Sequence, residues 1–140
     1  MSSAYTEVDL VKLGVSLLDQ HDIDGALNAF NNAIKINPSY CMAYFNKGIA
    51  YFRLKEYSKA IEYVNKAIQL NPVLDADYHA TKGFILMKIR NFTEAIQCFQ
   101  QAILIDPIHF DSYLNKGICF NHLKQYFDAI SSLNRASIIF

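Results

Sequence analysis

The sequence predicts an all-α fold in which eight helices pair into four antiparallel helix-turn-helix repeats stacked on one another. Glycines at Gly14, Gly48, Gly83 and Gly117 stand 34, 35 and 34 residues apart. Twelve residues after each comes an alanine, Ala26, Ala60, Ala95 or Ala129, and seven further on another, Ala33, Ala67, Ala102 or Ala136. A large apolar residue, Phe30, Val64, Phe99 or Leu133, lies between the two alanines, and Pro38, Pro72 and Pro107 close three of the copies. Self-similarity at such a period marks a repeat array, in which each unit buries its apolar face only by stacking on a neighbour.

The small residues recur where two helices must approach most closely, since larger side chains there would push the axes apart. Large residues flank them at helical intervals: Leu10, Leu13 and Leu17 in the first copy, Tyr44 and Tyr51 in the second, Tyr113 and Phe120 in the fourth. Proline lacks the N–H of the helix ladder and disfavours helix in the residue before it. Asn37, Asn71 and Asp106 are therefore expected to end the second helix of their copies. First helices are predicted near 7–20, 41–54, 76–89 and 110–123, and second helices near 24–36, 58–70, 93–105 and 127–140. The repeats then run 7–40, 41–75, 76–109 and 110–140 within one domain, 1–140. The extra residue between Pro72 and Pro107 is assigned to the turn around Asp75.

A chain of 140 residues is long enough for one well-packed unit. Thirteen basic and thirteen acidic residues cancel, which removes the field that drives non-specific nucleic-acid binding. Glu7, Asp9, Lys12 and Asp19 break up the first twenty residues, so neither a signal peptide nor a membrane span is expected there. Cys41, Cys98 and Cys119 form no CxxC pair, and an odd number argues against a disulfide framework. A reducing compartment such as the cytoplasm is the expected location.

The spacing closely resembles the tetratricopeptide repeat, TPR, whose small-large-small signature is carried by "NKGIAYFRLKEYSKAIEYVNKAIQLNP" and "TKGFILMKIRNFTEAIQCFQQAILIDP". The resemblance spans residues 7–140 and implies a right-handed superhelix. Three departures are visible. No tryptophan opens a copy, His79 replaces the usual large apolar residue of the third, and Gly25 costs about 1 kcal/mol of helix propensity against alanine.

Catalytic chemistry is not expected. No HExxH, P-loop, GxSxG or dinucleotide fingerprint occurs, and the repeat glycines fall inside helices, where they cannot cradle phosphate. No cofactor is expected either. Cys119 and His122 share a helix face and could supply half of a metal site, but a tetrahedral site needs further ligands, and a small cysteine is a common core filler. His79 could be a switch or a ligand; beside Tyr78 at a core position it is read as a packed histidine. The abundant Tyr and Phe, at helical spacing in a neutral chain, are assigned to packing rather than base stacking.

In the TPR family the first helices of successive repeats line the concave side, so the resemblance implies a partner groove. Its positions fall on Val11, Lys12, Val15, Phe45, Asn46, Ile49, Phe52, Thr81, Phe84, Met87, Leu114, Asn115 and Ile118. Asn46, Thr81 and Asn115 form a polar rung that resembles the asparagine ladder of the O-linked N-acetylglucosamine transferase repeats, and asparagine can donate to and accept from an extended backbone at once. The alternative for these residues is capping or bridging of neighbouring helices. The apolar groove residues favour an apolar or amphipathic ligand.

Co-chaperone TPR domains clamp an EEVD-type acidic tail with lysines, an asparagine and an arginine, and only Asn46 matches. The remaining positions are Val11, Val15, Asp77 and Thr81 in one register, or Phe45, Ile49, Asp111 and Asn115 in the other, which disfavours such a tail. The expected function is a protein-interaction module, a scaffold or adaptor that binds a peptide segment or a neighbouring subunit. An accessory region of a larger enzyme is the second expectation. RNA binding of the pentatricopeptide kind is disfavoured by the dominant 34-residue step and the apolar groove. The last helix ends on Ser137, Ile138, Ile139 and Phe140 with neither a polar outer face nor a capping helix, so the expectation is either a longer repeat array of which these residues are a part or an open face covered by another chain, with self-association or partner docking through that helix.

Overall fold

Four helix-turn-helix pairs follow one another along the chain in the computed structural model, which describes residues 5–71 and 75–139. The helices are α1 (Glu7–Asp19), α2 (Ile23–Ile36), α3 (Cys41–Arg53), α4 (Tyr57–Leu70), α5 (Ala76–Lys88), α6 (Phe92–Ile105), α7 (Phe110–His122) and α8 (Tyr126–Ile139), with no strand among the described residues. The fold is thus the all-α class expected, and each boundary falls within one residue of its predicted place. Residues 72–74, in the second inter-repeat turn, and Phe140 lie outside the described residues. The helices group into two compact units, Met1–Pro72 and Val73–Phe140, each holding two hairpins.

Each hairpin closes on its glycine. A Cβ added at Gly48 would lie 2.7 Å from Val64 Cγ2, at Gly83 2.8 Å from Phe99 Cε1 and at Gly117 2.8 Å from Leu133 Cγ, and at Gly14 it would strike the ring of Phe30. The glycine and the large residue between the two alanines are therefore the two halves of one contact. The alanines of the second helices, Ala26, Ala33, Ala60, Ala67, Ala95, Ala102, Ala129 and Ala136, are all buried. Leu13, expected among the large packing residues, points instead to solvent.

Turns are built by one recurring device. His21, Lys55, Arg90 and Lys124 all adopt left-handed backbone, with φ of 64°, 62°, 64° and 60°. In each, the residue's own N–H reaches back three residues and the next N–H reaches back five, as in Lys55 N to Phe52 O at 2.9 Å and Glu56 N to Tyr51 O at 3.0 Å. This is the Schellman termination, which satisfies carbonyls that the helix end leaves without partners. The second helices end at Asn37, Asn71 and Asp106, whose φ values of −136°, −144° and −130° leave the helical region. Tyr44 and Tyr113 then donate to the carbonyls of Pro38 and Pro107 at 2.9 and 3.1 Å.

Candidate functional site

In the first unit, α1 and α3 lie side by side and carry seven of the expected groove residues. Lys12 and Val15 are exposed, and Phe45, Ile49 and Phe52 are half-buried. Val11 is not at the surface. It is 4% exposed and shares a buried cluster with Phe30, Ala33, Ala43 and Ala50. The two alanines let α3 settle against the first hairpin, so the side chain beneath them becomes core. Asn46 is also buried, and its amide donates to Met42 O at 2.9 Å one turn earlier on its own helix. Phe52 is divided between surface and fold, since its ring packs at 5.6 Å against Tyr57 at the start of α4.

In the second unit, α5 supplies Thr81, Phe84 and Met87, and α7 supplies Leu114, Asn115 and Ile118. Phe84 is the most open of the three groove phenylalanines at 38% exposure, and the Lys88 ammonium sits 5.1 Å from its ring centre. The other five are half-buried. One regularity links the two units. The residue directly after each repeat glycine is Val15, Ile49, Phe84 or Ile118, always large and apolar, and none of the four is fully buried.

The remaining chemically interesting side chains are held by packing. His79 occupies the repeat position of Tyr44 and Tyr113; burial, helped by the nearby Lys82, holds its imidazole below the ordinary histidine value. It lines a cleft of about 370 Å³ with Lys82, Glu94, Gln97 and Cys98. Cys119 is buried, which pushes its thiol up to about 12, and the His122 ring stacks on Phe92 at 4.5 Å. No three His, Cys, Asp or Glu side chains converge for a metal among the described residues.

The structure also assembles a group that the repeat pattern does not foretell. His109 Nε2–H donates to Asp77 Oδ1 at 2.8 Å, while Nδ1 accepts from the Ser112 hydroxyl at 2.8 Å and from its backbone N–H at 3.3 Å. Its composition is that of a Ser-His-Asp triad, but Ser112 is wholly buried, so no substrate can reach the hydroxyl. The histidine caps α7 and ties it to the first turn of α5. A signal for it exists only in hindsight, as a histidine two residues after Pro107 and three before a serine.

Profiles of the tetratricopeptide repeat match residues 11–74, 76–109 and 98–131. A TPR repeat-containing protein of Methanocaldococcus jannaschii is 35% identical over 77 residues, covering 54% of this chain and 13% of that protein. The BBSome complex member BBS4 homolog of Drosophila melanogaster is 26% identical over 130 residues, covering 91% of this chain and 26% of that protein. The chain thus spans about an eighth to a quarter of the length of these curated relatives. Among solved structures, MamA superposes with a TM-score of 0.88 at 23% identity, over 95% of this chain and 77% of that one. A MamA fragment from Desulfovibrio magneticus RS-1 gives 0.84 at 20% identity, over 95% and 75%. At these identities the likeness establishes the fold.

Proposed function

Because the chain belongs to the tetratricopeptide repeat family, we propose that it is a protein-interaction module whose first helices hold an apolar or amphipathic segment of a partner protein. The observation that supports this most is the repeated position after the glycine. Val15, Ile49, Phe84 and Ile118 are large and apolar in every copy, yet each keeps contact with solvent. Packing alone would bury such a position or allow it to be polar, and a surface that stays apolar at each repeat suits a ligand that covers it. Lys12 on α1 and Lys88 on α5 add cations beside these positions, which suits an amphipathic rather than a wholly apolar segment. No helix among the described residues is long and apolar enough to cross a membrane. The test is affinity capture with the unaltered chain and with Phe84→Ala, compared by mass spectrometry. A partner enriched by the first and lost with the second supports the reading, and an identical set of partners contradicts it.

A second reading concerns α8. Phe127, Ile130 and Ile138 point to solvent along one stripe, and the helix carries only two charges, Asp128 and Arg135. Two α8 helices laid antiparallel about a two-fold axis between Ser131 and Ser132 would set Asp128 of each against Arg135 of the other. This self-complementarity favours association of two copies through the outer face of α8.

A further inference from the structure

The residue before the repeat glycine is a lysine in three copies, Lys47, Lys82 and Lys116. Two of these ammoniums have a ring beneath them. Lys47 lies 4.2 Å from the centre of the Tyr63 ring, which stacks on Tyr51 at 5.3 Å, and Lys116 lies 5.9 Å from the centre of Phe120. In the third copy Leu86 and Cys98 hold the places of Tyr51 and Tyr63, and His79 holds that of Tyr44. Three phenols are lost together, and at those positions lies the cleft of about 370 Å³ lined by His79, Lys82, Glu94, Gln97, Cys98 and Gln101. Lys82 is half-buried there, with no ring beneath it and no ion pair among the described residues. Glu94, the one acid on the cleft wall, accepts instead from the Asn91 amide at 2.9 Å.

We propose that this cleft is a docking site for a tyrosine side chain of a partner polypeptide, whose ring takes the place beside Lys82 that Tyr63 takes beside Lys47. The second copy is the template. There the chain fills the place from within, whereas in the third the small Cys98, 6% exposed, leaves it open to a ring from outside. A partly desolvated ammonium gains more from the face of a ring than an exposed one does, so Lys82 is suited to such a ligand. An apolar cavity of about 150 Å³ already holds benzene, and this cleft has room for a ring and for the chain that carries it. The rim favours a phenol on a peptide. Gln97 and Gln101 are exposed, and each amide can donate and accept, toward a hydroxyl or toward the backbone on either side of the tyrosine. A carboxylate or phosphate suits the cleft less well, because Glu94 stands on the same wall and repels it. None of these residues belongs to the first-helix surface of the proposed function, so the two stand or fall separately.

The probe is N-acetyltyrosinamide, titrated into the whole chain under reducing conditions and followed by the backbone amide resonances of His79, Lys82, Gln97 and Cys98. Saturable shifts with a Kd of about 1 mM are expected for a ligand of this size. Cys98→Tyr sets the residue of Tyr63 into the cleft from within and should abolish them, while Lys82→Gln should weaken binding about two- to fivefold. Should Cys98→Tyr unfold, Lys82→Gln and the ligand series still decide, since N-acetylleucinamide keeps both amides without the ring and is expected to bind at least about fivefold more weakly. Absence of saturation up to about 20 mM would overturn the proposal. So would equal affinity for the leucine analogue, or equal binding to a folded Cys98→Tyr chain, which would put the probe elsewhere. Acetate displacing the probe at lower concentration would make Lys82 an anion site, and p-cresol binding as tightly as N-acetyltyrosinamide would mean that no peptide is read; either result contradicts the proposal. Self-association that Cys98→Tyr abolishes would contradict it too, since the tyrosine would then be the exposed Tyr5 or Tyr126 of a second copy.

Discussion

Gly83 lies against the ring of Phe99 where α5 crosses α6, so closely that a single added carbon would stand 2.8 Å from Cε1 and 2.9 Å from Cζ. The space a leucine needs is already occupied by a fully buried ring. Gly83→Leu is expected to destabilise the chain by at least about 1–3 kcal/mol through overpacking. Denaturant unfolding checks this, and an unchanged midpoint would mean that the two helices do not meet there.

The left-handed turn residues point the other way. Lys55 and Arg90 hold φ near 62° and 64°, where a Cβ crowds the following carbonyl. Lys55→Gly relieves that crowding but gives the unfolded chain more freedom, so the net gain is expected to be small, up to about 1 kcal/mol. A rise in the thermal midpoint is the expected result. A clear loss would mean that the Lys55 side chain makes a contact worth more than the backbone strain.

His79 makes stability depend on pH. Burial holds its imidazole below the unfolded value, so the unfolded chain binds the proton more readily. The stabilising contribution is complete above the ordinary histidine range and is lost as pH falls through it toward the lower, folded value. Unfolding midpoints measured from pH 8 to pH 5, at about half-unit steps, should fall more steeply for the unaltered chain than for His79→Tyr. That substitution places the residue of Tyr44 and Tyr113 at the same repeat position. Parallel curves would remove His79 from the account.

If two α8 helices pair, sedimentation should show a dimer that dissociates on dilution and is weakened by Phe127→Ser or Ile138→Ser, both at exposed positions. Reversing Asp128 to lysine should weaken it too, and adding Arg135→Glu should restore it. A strict monomer at high concentration contradicts this reading of α8.

The fold was legible because its determinants are local and repeated: a glycine, two alanines and a large apolar residue define each crossing, and prolines mark the turns. What the sequence could not reveal was which side chains a neighbouring helix covers. Val11 and Leu114 occupy the same repeat position, yet Val11 is core because α3 lies over it, whereas Leu114 lines an open cleft. Asn46 carries a residue type suited to a peptide backbone, but its amide is engaged by Met42. Gly25 reads as a weak point in a helix, and its purpose emerges only from the cap: the Asp22 carboxylate closes on the Gly25 N–H at 3.0 Å, in space a Cβ would occupy. The left-handed turns escaped notice because none is glycine, the residue that usually signals them.

The most direct test of the central claim is titration calorimetry of a captured partner against folded alanine variants of the first-helix surface. Phe84→Ala should cost about 1–3 kcal/mol of binding for a ligand held on α5, and Phe45→Ala a comparable amount for one held on α3. Phe52→Ala is a less clean probe, since it also loosens the contact with Tyr57. Asn115→Ala should weaken an extended ligand by roughly 0.5–1.5 kcal/mol and leave a helical one almost unaffected, because a helix has already paired its own backbone. Circular dichroism at wild-type helix content certifies each variant. Lost affinity at Phe84 and Phe45 with the fold intact is the predicted result; unchanged affinity in Phe45→Ala, Phe52→Ala and Phe84→Ala alike would contradict binding on the first helices.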